Sequence, residues 1–308
     1  MTDVTDVEHP HGLAEWIYLK LYLGQAVNKL DVLILETVPK ILALEHFERW
    51  FFLRYLDEKG LHLRLRFKVP ARHVARLTPS IRALCEVGIE EMLRVAPAAY
   101  RPMVLPPGFD AQRSPSVDAT VGIVADTYEP ELEKFGGLRG MPIAEEVFEN
   151  SSRVALDILG DEARALYSRK TIAPCLMDVV RDVFVPVEEA QRFWRNYSVY
   201  WLGGETTAAE DWRTRFFEKG TQLSERQIPV VWPADLPVRA TSLTEQWRRY
   251  LRRAARAFAR LEDLGAATPD TLAFHFIHLM NNRLGLVSLE EAYLAALLEQ
   301  RAEGDKAA

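Results

Sequence analysis

Leu61-His62-Leu63-Arg64-Leu65-Arg66-Phe67-Lys68-Val69 alternates strictly between apolar and polar side chains. In a strand, residues two apart share a face. Leu63, Leu65 and Phe67 therefore point one way, and His62, Arg64, Arg66 and Lys68 point the other. Just upstream, Asp57-Glu58-Lys59-Gly60 supplies turn chemistry, and Trp50-Phe51-Phe52-Leu53-Arg54-Tyr55-Leu56 precedes it. Two such runs around a short polar loop ending in glycine read as a β-hairpin. Trp16 to Leu23 is a further strand, because residues 17, 19, 21 and 23 are aliphatic.

Around these strands the pattern is helical. A helix is expected from Gln25 to Leu44, and a second from Pro79 to Val95, with Thr78-Pro79 as its start signal. Residues 99–135 read as a loop followed by strand-like segments that end at Gly136-Gly137. Beyond Pro142, helices are expected over Ala144–Leu159, Glu162–Val183 and Glu188–Leu202. Residues 204–240 read as mixed, with a proline-rich loop at Pro229, Pro233 and Pro237. The capping box Ser242-Leu243-Thr244-Glu245 opens an amphipathic helix with Trp247, Leu251, Ala254, Phe258 and Leu261 in one stripe. Thr268-Pro269 and Ser288-Leu289-Glu290-Glu291 open the last two helices. Strands early and helices late predict an α+β fold. Its antiparallel sheet comes mainly from the N-terminal half (14–140) and packs with a helical C-terminal half (141–303), in one domain over residues 1–308.

Composition narrows the function. Of 308 residues, 48% are apolar and 27% charged, as in an ordinary globular protein, and the net charge of −6 argues against a general nucleic-acid binder. The two cysteines, Cys85 and Cys175, form no metal or redox motif, which fits a reducing compartment. The N-terminus lacks the basic start and apolar run of a signal peptide, and no stretch approaches the ~20 apolar residues of a membrane span. The expectation is a cytoplasmic protein.

Several residues could carry chemistry. The row His62, Arg64, Arg66, Lys68 reads either as a solvated cationic face or as an anion site, since guanidinium groups pair with carboxylates through two hydrogen bonds. His275 and His278 lie three apart on a helix. A metal pair, a core histidine and, for His278, a general acid or base are the possible readings. No carboxylate or cysteine ligand set accompanies them, so no metal is expected. The carboxylates of Tyr128-Glu129-Pro130-Glu131-Leu132-Glu133-Lys134-Phe135-Gly136-Gly137 are either solvated or partners of the cationic hairpin. Arg248, Arg249, Arg252, Arg253, Arg256 and Arg260 form a basic face that reads as solvated opposite a core stripe.

In order along the chain, Trp16–Tyr22, Trp50–Tyr55, His62-Leu63-Arg64-Leu65-Arg66-Phe67, Tyr128–Gly137, Ala144-Glu145-Glu146-Val147-Phe148-Glu149-Asn150-Ser151 and His278-Leu279-Met280-Asn281-Asn282-Arg283-Leu284-Gly285 resemble one family. It is the thiopeptide-type bacteriocin biosynthesis family, the stand-alone relatives of the elimination domain of lantibiotic dehydratases, which includes the thiopeptide pyridine synthases. The resemblance implies a lyase that removes glutamate from glutamylated Ser or Thr of a precursor peptide, giving dehydroalanine or dehydrobutyrine. A diverged branch instead joins two dehydroalanines in a [4+2] cycloaddition that forms a pyridine and expels the leader. A non-catalytic partner that binds precursor peptide, by adding it to an exposed sheet edge, is the third reading. By resemblance Arg64, Arg66 and His278 are catalytic, and His62, Tyr128, Glu131, Asn282, Arg283 and Tyr293 are substrate-binding. The implied chemistry needs no cofactor. The implied partners are the precursor peptide, leader plus core, and a separate tRNA-dependent glutamylation protein, with no membrane and no direct nucleic-acid contact. Pro130, Lys134-Phe135 and Asn150-Ser151 depart from the dehydratase pattern.

Overall fold

A computed structural model describes residues 14–94, 120–225 and 236–307. Strands β1 (Ala14–Leu23), β2 (Arg49–Asp57), β3 (Gly60–Pro70) and β4 (Val121–Asp126) form an antiparallel sheet in the order β2-β3-β1-β4. Helices α1 (Leu30–Leu42) and α2 (Ala71–Arg94) sit among them in sequence. The rest is helical: α3 (Gly137–Ala163), α4 (Arg169–Phe184), α5 (Ala190–Trp201), α6 (Thr207–Glu225), α7 (Val238–Phe258), α8 (Pro269–Leu284) and α9 (Ser288–Ala307). The protein is α+β, as its order of elements predicts.

The hairpin has the expected faces. Register sets Ile17 opposite Phe67, Leu19 opposite Leu65 and Leu21 opposite Leu63, and Trp50 and Phe52 extend the row on β2. These side chains are buried. Helix α2 packs across β1, β3 and β4, with α1 against it. On the other face, Arg66 lies between Tyr18 and Phe51, Arg64 between Lys20 and Leu53, and His62 between Tyr22 and Tyr55.

Several boundaries differ from the sequence reading. Helix α2 starts at Ala71 and runs through Pro79. Burial of Leu77, Ile81, Cys85 and Ile89, each four residues apart, outweighs the one backbone hydrogen bond that proline removes. The helix expected over Glu162–Val183 breaks instead, with Ala165 in a left-handed conformation and the Ser168 hydroxyl capping the Lys170 N–H at 3.2 Å. Residues 207–225, read as mixed, form α6. Helix α7 begins after Pro237, so Ser242 and Glu245 sit inside it rather than opening it. Among the described residues of the strand-like stretch before Gly136, β4 is the one strand, and Leu132–Phe135 is a 3-10 turn. The loop expected after residue 99, with Pro229 and Pro233, lies outside the described residues. Thr268 and Ser288 open α8 and α9 as expected.

Helix α8 is joined to the edge of the sheet by side chains that imitate a strand. Asn282 accepts from the Arg54 backbone N–H (2.9 Å) and donates to the Arg54 carbonyl (2.7 Å). Ser152 of α3 accepts from the Phe52 N–H at 3.3 Å. The outward N–H groups of Phe52 and Arg54 and the Arg54 carbonyl are thereby satisfied. The Arg54 side chain donates to the Arg283 carbonyl (3.1 Å) and reaches Asp31 (2.5 Å), whose other oxygen takes Arg169 at 2.6 Å. Burial alone would raise the Asp31 carboxyl; the two guanidiniums overcome it and hold it below its usual range. Gly285 closes α8 at φ 78°, where a Cβ would meet the Arg54 guanidinium at 3.0 Å.

Candidate active site

The cationic face of the hairpin is covered. Arg66 is 7% exposed. Its guanidinium carbon lies 4.3 Å from the Tyr18 ring centre, 5.0 Å from Tyr128 and 5.2 Å from Phe51. Those contacts stabilise a cation in part, but the Nε–H of Arg66 has no hydrogen-bond partner. Burial, more than any neighbour, pushes its pKa down.

Arg283 is the second cation of this region and is fully buried. It reaches inward from α8, with Nε donating to the Ser152 hydroxyl at 2.9 Å and one amino group to the Leu279 carbonyl at 2.8 Å. Its other amino group has no partner. Burial first, and the charge of Arg66 second, push it down to about 9, so it stays charged at neutral pH. Phe148 links the two, 5.7 Å below Arg283 and 5.3 Å from Phe51. Neither guanidinium has an ion-pair partner among the described residues.

Beside them, Tyr128 packs edge-on against Trp16 at 4.8 Å. Burial and the adjacent Glu145 carboxylate raise its phenol well above the usual range, so it remains a donor. Glu145 is itself buried, and burial raises its pKa against the pull of Lys68, Tyr128 and Arg49. At the turn end of the hairpin, Arg64 stacks on Tyr55 at 3.3 Å and donates to His62 Nε2 at 3.2 Å. His62 is buried, and its Nδ1 lies 3.1 Å from the Gly60 carbonyl. Burial lowers its pKa and favours the neutral ring. Both ring nitrogens are engaged, so the ring braces Arg64.

His278 stands on α8, half-exposed, with its ring 4.5 Å from that of Trp201. Its Nδ1 lies 3.0 Å from Oε1 of Glu291, which is buried at the start of α9. Oε2 of Glu291 accepts from the Tyr197 hydroxyl and from Asn281 Nδ2 at 3.3 Å. A carboxylate fixed in this way makes Nδ1 the protonated nitrogen and leaves Nε2 free to take a proton. One turn before His278 on α8, His275 lies 5.6 Å from Phe135; burial, with Lys134 adding to it, pushes its pKa down to about 4. The charge of Glu131 reaches both Tyr128 and His275. Glu131 is exposed and pairs with Lys134 at 2.5 Å. Phe135 of the 132–135 turn packs on His275 at 5.6 Å and on Phe148 at 5.0 Å. Tyr293 lies elsewhere: it packs on Phe216 of α6 at 5.2 Å under Lys219, and no described contact joins it to the cations. Among the described residues, no three His, Cys, Asp or Glu side chains are placed to hold a metal ion.

A family described as "Lantibiotic biosynthesis dehydratase C-term" matches residues 16–302. The chain belongs to this family. Solved structures of similar fold include the tRNA-dependent lantibiotic dehydratase MibB from Microbispora sp. 107891, at 20% identity and a TM-score of 0.63, covering 100% of this chain and 29% of that one. The pyridine synthase TbtD from thiomuracin biosynthesis also matches at 20% identity and 0.63, over 94% of this chain and 98% of that one. TsrL matches at 16% and 0.60, over 96% of each. The chain thus spans under a third of the length of MibB. No curated protein matches it.

For this member of the lantibiotic dehydratase C-terminal family, sequence reasoning missed Tyr18, Glu145 and Glu291 as parts of the site. Tyr18 is set opposite Arg66 by the β1–β3 register, a non-local pairing that the hairpin's own pattern does not fix. Glu145 lay within a quoted segment, among other acidic residues that hid it. Glu291 reads in the sequence only as part of the signal that opens the last helix. Asn282, expected to bind substrate, has both polar atoms committed to the sheet edge.

Proposed function

We propose that this chain is a peptide-tailoring enzyme that eliminates glutamate from glutamylated Ser or Thr residues of a precursor peptide. The observation that carries this is the pair Arg66 and Arg283, two buried guanidiniums without carboxylate partners, each with an unused N–H. A fold keeps uncompensated buried cations at a cost, and a site that must receive a departing carboxylate gives them a use.

In this reading the Nε2 of His278 takes the Cα proton of the glutamylated residue. The Cα–H electrons form the Cα=Cβ bond, the Cβ–O bond breaks, and glutamate leaves as the carboxylate that had formed the ester. Glu291 holds the ring in the receptive tautomer and offsets the imidazolium charge. Arg66, with Arg283 behind it, stabilises the departing carboxylate. Tyr128 donates to the carbonyl oxygen where enolate charge builds, and Arg64 holds the peptide at the outer end of the hairpin. The work is done by fixed charge and position. The glutamylated peptide would come from a separate protein that uses glutamyl-tRNA, and the peptide itself is the partner this chain handles.

The second reading, pyridine formation by [4+2] cycloaddition, is supported by the match in extent to TbtD. One experiment separates the two: incubate purified protein with glutamylated peptide, and separately with a dehydrated azole peptide, and follow masses. Loss of glutamate, abolished in Arg66→Met, is expected. Loss of water and leader from the second peptide, with the first unchanged, would replace elimination by cyclisation.

A further inference from the structure

Away from the sheet, the end of α4, the turn after it and the outer side of α7 enclose a groove of about 500 Å³. Val183, Val185 and Ala255 give it an aliphatic lining, and Val187 stands 74% exposed. Arg181, Arg248, Arg252 and Arg256 line it against a single carboxylate, Asp182. Two of these arginines are already paired. Arg181 sits between Asp178 at 2.6 Å and Asp182 at 2.8 Å, and Arg248 reaches Asp182 at 3.3 Å. Arg252 and Arg256, one turn apart, are exposed and form no ion pair among the described residues. Aromatic packing runs from beneath the groove to the 132–135 turn. Phe184, between Val183 and Val185, packs on Phe276 at 5.6 Å, and Phe276 stacks on Phe135 at 5.8 Å.

We propose that this groove docks an acidic segment of the polypeptide substrate that also carries aliphatic side chains, away in sequence from the residue being modified. The proposal rests on the reading that the substrate is a polypeptide. Charge complementarity names the occupant. Arg252 and Arg256 offer two forks spaced for carboxylates on successive turns of a helix, and the valines beside them take aliphatic side chains. An RNA strand fits less well, because no aromatic side chain lines the groove for base stacking and Asp182 would repel phosphates. Docking here raises the effective concentration of the reacting residue at the site without entering the chemistry.

The test measures fluorescence anisotropy with three labelled probes: a helical leucine–glutamate peptide, its leucine–lysine counterpart and oligo-uridine. The acidic peptide binds the wild type in a salt-sensitive way, and R252E/R256E weakens it about tenfold or more. R66M leaves it unchanged. On a glutamylated peptide substrate, R252E/R256E raises KM and keeps kcat. Equal affinity of the acidic peptide for wild type and R252E/R256E overturns the proposal. So does oligo-uridine binding that exceeds peptide binding and vanishes in the same variant. If glutamate is never eliminated yet the acidic peptide binds as stated, the elimination reading fails and the groove stands.

Discussion

Replacing Arg283 with methionine should make the protein more stable while destroying its activity. The structure places this guanidinium fully out of solvent with no ion-pair partner among the described residues, and burial pushes its pKa well below the usual arginine range, to about 9. A tenfold change in proton affinity is worth about 1.4 kcal/mol, so keeping the cation charged costs the fold about 5 kcal/mol. The substitution also removes two hydrogen bonds, each worth about 1–2 kcal/mol. Neither acceptor is stranded. Ser152 still accepts from the Phe52 N–H and donates to the Phe148 carbonyl, and the Leu279 carbonyl stays within helix α8. Methionine is unbranched and can follow much of the arginine stem. The net gain is about 1–3 kcal/mol, which corresponds to a rise in Tm of roughly 2–6 °C for a chain of this size. The sign with pH follows from the depressed pKa. Below pH 9 both folded and unfolded chains carry the proton, and the penalty is complete. Above pH 9, up to the ordinary arginine range, the unfolded chain binds more protons, so wild-type stability gains as the penalty fades. Differential scanning calorimetry should therefore show an advantage for Arg283→Met that is constant from pH 6 to 8 and shrinks above 9. A Tm equal to or below that of the wild type at pH 7 would refute the claim that Arg283 is an uncompensated charge.

Glu291→Gln tests the dyad. Tyr197 and Asn281 both donate toward Oε2, so the amide oxygen turns to them and the amide NH2 faces His278 Nδ1. That forces the proton to Nε2 and removes the base. Turnover should fall about a hundredfold or more, and nitrogen NMR of the His278 ring should show the other tautomer; an unchanged ring spectrum would count against the assignment. Asn282→Ala strands the N–H and carbonyl of Arg54 at the sheet edge and should cost about 2–4 kcal/mol in urea unfolding. Gly140→Ala would set a Cβ 1.9 Å from the Phe135 carbonyl, a backbone clash that should cost roughly 3 kcal/mol or more; a melting curve like that of wild type would show that the 132–135 turn yields.

The sheet was legible because strand periodicity is local. Leu63, Leu65 and Phe67 alternate with His62, Arg64 and Arg66 in the sequence and in the structure. The starts of α8 and α9 were legible for the same reason, since a cap is decided within four residues. What failed was decided at a distance. Pro79 sits inside α2 because the sheet buries that helix, and residues 207–225 are helical although their polar surface gives little periodic signal. Within the candidate site, Arg66 and His278 stand out in the sequence by residue type and spacing, but the burial of Arg66 was not legible. A solvated row and a covered row have the same sequence, and only the packing of Tyr128 and α3 over it decides. Glu291 lies thirteen residues from His278, beyond any helical spacing, so no periodicity could pair them.

Asn282 and Arg283 are neighbours on one helix, and consecutive helical side chains diverge by about 100°. With Asn282 fixed to Arg54 of β2, the Arg283 side chain cannot reach the same backbone groups; it is turned into the interior, to the Ser152 hydroxyl that accepts from the Phe52 N–H, and toward the region of Arg66. Gly285 then lets the Arg54 side chain cross the end of the helix and bind the Arg283 carbonyl. The run Asn-Arg-x-Gly is therefore a joint and a charge-placing device at once. The joint supplies hydrogen bonds that hold α8 against the sheet, and these offset the cost of the cation that the same geometry buries. A helix held less firmly could swing Arg283 out to solvent and relieve that cost, and the positive field behind Arg66 would be lost with it.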